Sequence, residues 1–288
     1  MGHRTTVAAV IICLIAIPAL VATCDHAISA GVTSERFSKI MVVVLENTDY
    51  DDAIEQPFLA SLIKRGVLLT NFTAEAHPSQ PNYIALVSGS THGVTSDTNI
   101  DLDQPHLSDL LEAKGLQWKV YAEGYPGGCF LGARSGTYVR KHVPFLSFKN
   151  VQNDQARCGR IVNATEMVAD IRDRKLPDFS LVIPDLNDDG HDTGVAYADG
   201  WLSGRFGLLL NDPDFTNGLL LILTFDESRH TLLGKNHVAT ILIGDGVSPG
   251  THLGDHQTHY SILRLIEDHF GLGTLGQNDA DAAPVVVR

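Results

Sequence analysis

The chain reads as α/β: a mostly parallel central sheet with helices on both faces. Two observations predict this. Near-continuous apolar runs such as "IMVVVL" and "LLLILTF" suit strands covered on both sides. Amphipathic stretches of helical period alternate with them from Ser38 onward. The sequence shows no internal repeat, low-complexity tract or linker, so one domain is expected over residues 31–288.

The elements follow in order. "KIMVVVLEN" is a strand ending in polar residues, and "QPFLASLIKRG" a helix closed by Gly66. "VLLTNF" predicts a second strand. "PNYIALVSG" is a helix with Pro81 in its first turn, where a missing N–H costs nothing. "PHLSDLLEAKG" and "WKVYAE" repeat helix and strand. From Gly124 to Arg160 the chain turns irregular, rich in Gly, Arg and aromatic residues. "NATEMVADIRDRKLP" predicts a helix capped by Asn163, with Glu166 as its box partner. "FSLVIPD" is a strand, "WLSGRFGLLLND" a helix, and "GLLLILTFDE" and "HVATILIGDG" are strands. "THYSILRLIEDHFGL" is the last helix, and the tail from Gln277 is expected to fray.

A net charge of -13 over 288 residues argues against a nucleic-acid partner, which needs a basic face. It says little about substrate, because a cation reverses the sign of the field inside a cleft. At the N-terminus, His3 and Arg4 precede an apolar run, Val7 to Ala22, broken by Pro18. That is the layout of an export signal, or of an uncleaved anchor, within residues 1–30. "LVATC" resembles a bacterial lipobox, which leaves lipidation at Cys24 and simple cleavage nearby both open. The expected location is therefore secreted or cell-surface, periplasmic or lipoprotein-anchored, with any membrane contact made through this segment. Export leaves Cys129 and Cys158 in the mature domain, where an oxidising compartment favours their pairing.

Three strands end in acids or amides. The first ends in Glu46 and Asn47, the "VIPD" strand runs into "LNDDGHD", and "LILTF" ends in Asp226 and Glu227. Parallel strands share one C-terminal edge, where ligands bind. Glu46, Asn47, Asp185, His191, Asp226 and Glu227 are thus expected to meet. Carboxylates that converge without a cation repel and desolvate badly, so a divalent metal is implied. Oxygen donors favour Mg, Ca or Mn; the histidines keep Zn or Fe in play. Ser79 lies in the loop feeding a helix N-terminus, where free N–H groups favour an anion. It is either a cap or a nucleophile. No serine sits in a G-x-S-x-G elbow.

"VVVLEN", "HPSQPNYIALVSG", "YVRKHVPFLSF", "IPDLNDDGHD", "TFDES" and "HYSILRLIEDHFGL" stand here in that order, from about Ile40 to Leu272. In this the chain resembles the phosphoesterase family, which joins bacterial acid phosphatases to phosphatidylcholine-type phospholipases C on an alkaline-phosphatase-like fold. The resemblance implies Glu46, Asn47, Asp226 and Glu227 as metal ligands and Ser79 as a transiently phosphorylated nucleophile. It implies His142 and His191 as groups that hold phosphoryl oxygens or move the leaving-group proton. Lys141 and Asn82 are expected to bind substrate, and Asp185 and His259 to support the site from behind. Val143 and Gly190 depart from the family pattern. The activity implied is an acid phosphatase hydrolysing small phosphomonoesters. The alternatives are a phospholipase C acting on lipid headgroups and, from a different class, a surface lipoprotein that binds an anion without catalysis. His77, His92, His106, His252 and His256 are expected to have no catalytic part, and Asp199 to position a helix.

Overall fold

The computed structural model describes residues 1–3, 37–230 and 236–286. The apolar run read as an export signal or an uncleaved anchor, and Cys24, lie outside the described residues. Among those described, no helix is long and apolar enough to cross a membrane.

In chain order the first half comprises β1 (Lys39–Leu45), α1 (Tyr50–Ile54), α2 (Pro57–Arg65), β2 (Val67–Leu69), β3 (Phe72–Thr73), α3 (Gln80–Ser88), α4 (Leu107–Ala113) and β4 (Trp118–Ala122). The excursion holds β5 (Arg134–Ser135), β6 (Tyr138–Val139), α5 (Lys149–Gln152) and α6 (Gln155–Cys158). Then come β7 (Ile161–Asn163), α7 (Thr165–Arg172), β8 (Phe179–Ile183), α8 (Val195–Phe206), α9 (Pro213–Thr216) and β9 (Leu219–Phe225). The chain closes with β10 (Thr240–Gly244), β11 (Thr251–Leu253), β12 (Gln257–Thr258), α10 (His259–Phe270) and α11 (Asn278–Asp281).

Eight strands form the main sheet in the order β11-β2-β10-β9-β1-β8-β4-β7. β10 runs antiparallel to both of its neighbours, whereas the other pairings are parallel. The expected mostly parallel α/β sheet is therefore present, with one reversed strand. β1 and β9 are buried along nearly their whole length, as continuous apolar runs require.

Register matters more than strand count here. Leu45 lies opposite Phe225, and Asp226 N–H donates to Leu45 O at 2.9 Å. Glu46–Asn47 and Asp226–Glu227 therefore leave the sheet side by side. β8 flanks β1 on the other side, and Glu46 N–H donates to the Asp189 carbonyl at 3.0 Å. Three acid-bearing strand ends thus share one edge because β9, β1 and β8 are adjacent.

Several local expectations need correction. "VLLTNF" splits into β2 and β3, which belong to different sheets. Asn163 does not cap α7, since it ends β7 and its side chain accepts only from Thr165 N–H at 3.1 Å. The tail from Gln277 is tied down. Asn278 N–H donates to Gly89 O at 2.9 Å, and Asp279 is fully buried. Gly89 has φ of +69°, and a Cβ there would run 2.2 Å from Asp279 Oδ1. Asp199 positions a helix as expected, accepting from Phe58 and Leu59 N–H at 2.9 and 2.8 Å at the start of α2. Cys129 and Cys158 form a disulfide that closes the excursion. On the chain-entropy model a loop of this length contributes about 3–4 kcal/mol.

Candidate active site

Ser79 stands at the N-cap of α3 but makes no side-chain capping bond. Its Oγ donates instead toward Glu46 Oε2 at 3.0 Å and Glu227 Oε1 at 3.2 Å. Serine is a favoured cap because its oxygen takes a first-turn N–H. Here that task falls to Asp97, whose Oδ1 accepts from Gln80 N–H at 3.0 Å. The hydroxyl is left for the strand ends.

Asn47 follows Glu46 with φ of +40°, a left-handed conformation that asparagine tolerates better than most residues. This turn carries its side chain back among the acids. The amide oxygen faces Glu46 Oε2 at 3.2 Å, Glu227 Oε1 at 3.3 Å and Asp226 Oδ1 at 3.3 Å. Turned over, the amide would donate to the same three oxygens. Asp226 Oδ1 also accepts from Asn47 N–H at 3.1 Å, while Asp226 Oδ2 is buried without a hydrogen-bond partner. A divalent ion with oxygen ligands at about 2.1–2.4 Å sets neighbouring donors roughly 3.0–3.4 Å apart. The spacing and the orphaned carboxylate oxygen both fit such an ion. Glu46, Asn47, Asp226 and Glu227 would hold it, with Ser79 Oγ against two of them.

His142 lies on the far side of Glu46. Its Nε2 is 3.3 Å from Glu46 Oε1 and its Nδ1 3.5 Å from Asp189 Oδ2, but neither nitrogen has a hydrogen-bond partner. The ring stacks on Tyr83, with centroids 5.0 Å apart. Tyr83 OH donates a short bond to Glu46 Oε1. Glu46, His142 and Asp189 form a buried group whose spacing would suit a metal ion. A ring nitrogen among those donors is what keeps zinc and iron compatible with the site.

Electrostatics follow from burying several acids together. Burial, then Asp226 and Asp189, hold the Glu46 carboxyl well above the usual range. Burial, then Glu227, lifts Asp226 to about 7. Glu227 is raised to about 7 by burial, and Asp189 to about 8, again by burial first. Burial, with Lys141 and His191 adding to it, pushes His142 well below the ordinary histidine value. Burial opposes charge on Lys141, yet its bond to Asp97 and the fields of Glu46 and Asp226 outweigh this and raise its pKa.

The structure thus gathers Ser79, Glu46, Asn47, Asp226, Glu227 and His142 in one pocket, with Lys141 at its margin. His191 lies at the rim, its ring centroid 6.5 Å from that of His142 and its Nδ1 2.7 Å from Asp192 Oδ1. His259 supports the site from behind. Its Nε2 is 3.0 Å from Phe225 O, the residue before Asp226, and its Nδ1 2.5 Å from Glu75 Oε2.

Two expected residues are employed elsewhere. Asn82 accepts from Glu75 and Ala76 N–H at 3.0 and 2.9 Å and donates to Ala76 O at 2.9 Å. Its amide is spent holding the loop before Ser79 rather than turned to the pocket. Asp185 accepts from Thr137 Oγ1 at 2.5 Å and from Asn187 N–H at 2.9 Å, and it groups with Glu123 and Asp188. It stabilises its own turn. Gly190, with φ of +98°, occupies a conformation that larger side chains rarely adopt.

Sequence reasoning missed Asp189, Tyr83, Asp97 and His77. The His77 ring lies against Glu227 Oε2 at the edge of the site, a position that the expectation of no catalytic part did not foresee. Tyr83 was within reach, because it lies four residues after Ser79 on α3 and so shares its face. Nothing in "NDDGHD" tells which of its acids turns inward.

Solved structures share this architecture. A protein of the alkaline phosphatase superfamily from Vibrio parahaemolyticus aligns with a TM-score of 0.56 at 12% identity, covering 87% of this chain and 71% of that one. The phosphonate monoester hydrolase of Agrobacterium radiobacter aligns with a TM-score of 0.52 at 14% identity, covering 87% of this chain and 79% of that one. At such identity these likenesses establish the fold. By class, the chain is an α/β protein of that fold. It belongs to the phosphoesterase family, whose model matches residues 50–273. An acid phosphatase of Aspergillus fumigatus is 34% identical over 265 residues, 88% of this chain and 59% of that protein. A probable acid phosphatase of Kluyveromyces lactis is 36% identical over 266 residues, again 88% of this chain and 63% of the relative. A phosphatidylinositol-3-phosphatase of Mycobacterium tuberculosis is 32% identical over 245 residues, 83% of this chain and 79% of that protein. The chain spans about three-fifths of the length of the two fungal relatives.

Proposed function

We propose that the chain is an exported, metal-dependent acid phosphatase that hydrolyses phosphomonoesters through a phosphoserine at Ser79. One observation carries the reading: Ser79 Oγ points into the oxygen cage instead of capping its helix. The bound ion would supply positive charge to the phosphoryl oxygens and favour ionisation of the hydroxyl.

The chain's own residues account for the rest. Ser79 Oγ forms the bond to phosphorus as the ester oxygen leaves, and its proton passes to the Glu46 or Glu227 carboxylate it already contacts. His142, neutral and without a partner, donates its N–H to a phosphoryl oxygen. Lys141 adds positive charge at the margin. His191, at the rim, returns a proton to the departing alkoxide. Water then attacks phosphorus, the bond to Oγ breaks, and Ser79 recovers its proton as inorganic phosphate departs.

Replacement of Ser79 by alanine is expected to lower turnover of p-nitrophenyl phosphate by at least ~10³-fold, while bound metal and the circular dichroism spectrum persist. Full activity in that variant would end the proposal.

A second reading keeps the chemistry and changes the substrate. The mycobacterial relative, spanned over most of its length, is named for a lipid phosphomonoester. Comparing p-nitrophenyl phosphate, phosphatidylinositol 3-phosphate in vesicles and phosphatidylcholine separates a soluble-ester phosphatase from a lipid phosphatase and from a phospholipase C. Phosphate binding without turnover under every metal would instead favour a binding lipoprotein.

A further inference from the structure

The helix mouth beside Ser79 is already filled by an anion that belongs to the protein. Asp97 Oδ1 accepts from Gln80 N–H at 3.0 Å, and its Oδ2 takes the Lys141 ammonium at 2.7 Å. The carboxylate is not there by accident of a loose loop. The buried Gln80 side-chain amide sits 2.7 and 3.2 Å from the carbonyls of Thr98 and Ser96; turned over, it would donate to both and clasp the loop carrying Asp97 onto the first turn of α3. Lys141 is itself largely buried, and Asp97 about one-third exposed. The charges of both reach Glu227. A first-turn N–H and a lysine ammonium are the donors that a phosphoryl group seeks.

We infer that Asp97 is a resident competitor for the phosphoryl group, occupying two donors beside Ser79 and thereby limiting how firmly the site holds inorganic phosphate. This rests on the phosphomonoesterase reading above. Asp97 touches no reacting atom; it acts through Lys141 and the helix mouth, as a positioning and specificity-determining residue. Each phosphoryl group that enters must share Lys141 with a carboxylate, so the product leaves more readily than it would from an unopposed lysine.

The test measures inorganic phosphate directly, by calorimetry and by inhibition of p-nitrophenyl phosphate turnover, in the full chain supplied with metal. Asp97→Asn keeps an acceptor for Gln80 N–H and removes the charge; Asp97→Ser serves if that variant folds poorly. Either is expected to lower the Kd and Ki for phosphate at least five-fold, with KM falling alongside and kcat not rising. Adding Lys141→Met to Asp97→Asn should erase the gain. A purely structural cap would instead give a higher KM and an unchanged or weaker Ki, and that result overturns the inference. Lys141→Met alone, with Asp97 in place, must bind phosphate more weakly than wild type; equal binding overturns it however the Asp97 variants fold. Wild-type protein that neither binds phosphate nor turns over substrate under any metal would sink the phosphoesterase reading itself. Wild-type turnover with unchanged Ki in Asp97→Asn sinks only this inference.

Discussion

Asn47 shows how one backbone angle can decide the character of a site. With φ of +40° the residue leaves β1 sharply and returns its amide to the three carboxylates. Asn47→Ala removes a donor and places a less tolerant residue in the left-handed region. Its affinity for Mn²⁺ or Zn²⁺, measured by calorimetric titration of chelator-stripped protein, should fall by more than the ~10–100-fold typical of outer-shell partners. Unchanged affinity would mean that the amide donates to the acids and does not bind the ion. The strand-end acids themselves were legible, because parallel topology sends every C-terminal strand end to one edge. The choice among them was not. Asp185 and Asp189 stand four residues apart in the same loop, yet Asp185 turns back on its own backbone while Asp189 faces His142. Periodicity ends where the loop begins, and only tertiary contacts decide which acid points inward.

At the scale of elements, α10 buries a carboxyl whose ionisation the fold opposes. Glu267 is buried on its inner face near Asp279 of α11, and burial first, then that neighbour, lifts its pKa to about 8. A carboxyl raised in the folded state binds more protons folded than unfolded. Its favourable contribution is thus complete below about pH 4.5 and is lost as pH rises through about 8. Glu267→Gln keeps the shape without the charge. At pH 8 it should be more stable than wild type, on the order of 1–3 kcal/mol, with a flatter stability profile between pH 5 and 8 by urea denaturation. A variant less stable at pH 8 would show that the ionised carboxylate has a partner worth more than its burial costs. Long elements such as β1, β9 and α10 were plain from their apolar patterns. The two- and three-residue strands β3, β11 and β12 were not, since so few residues carry no period.

For the molecule as a whole, the site is the least comfortable part of a well-packed fold. Asp226 and Glu227, each near 7, and Asp189, near 8, are protonated in the folded chain at pH values where the unfolded chain has released those protons. Metal-stripped protein should therefore lose stability as pH rises from about 4.5 through about 8. A metal held there would reverse this, because it would bind the charged carboxylates and compete with protons for them. Added Mn²⁺ or Zn²⁺ is expected to raise the Tm of chelated protein by several degrees more at pH 8 than at pH 5, read by differential scanning calorimetry. An equal shift at both values would argue that the acids do not ligate the ion. The fold class and the meeting of the strand ends were readable because they follow from hydrophobic pattern and sheet topology. In the excursion from Gly124 to Arg160 the motif resemblance pointed to Lys141 and His142, but the path that delivers them was readable only as an irregular stretch closed by two cysteines.

His259 grips the carbonyl of Phe225 and the carboxylate of Glu75, so α10 latches the loops on either side of the pocket. During synthesis the first strand emerges more than two hundred residues before this latch. A chain still being made would have its acids without the clasp that aligns them. The alignment of those acids thus waits until the segment carrying His259 has been made.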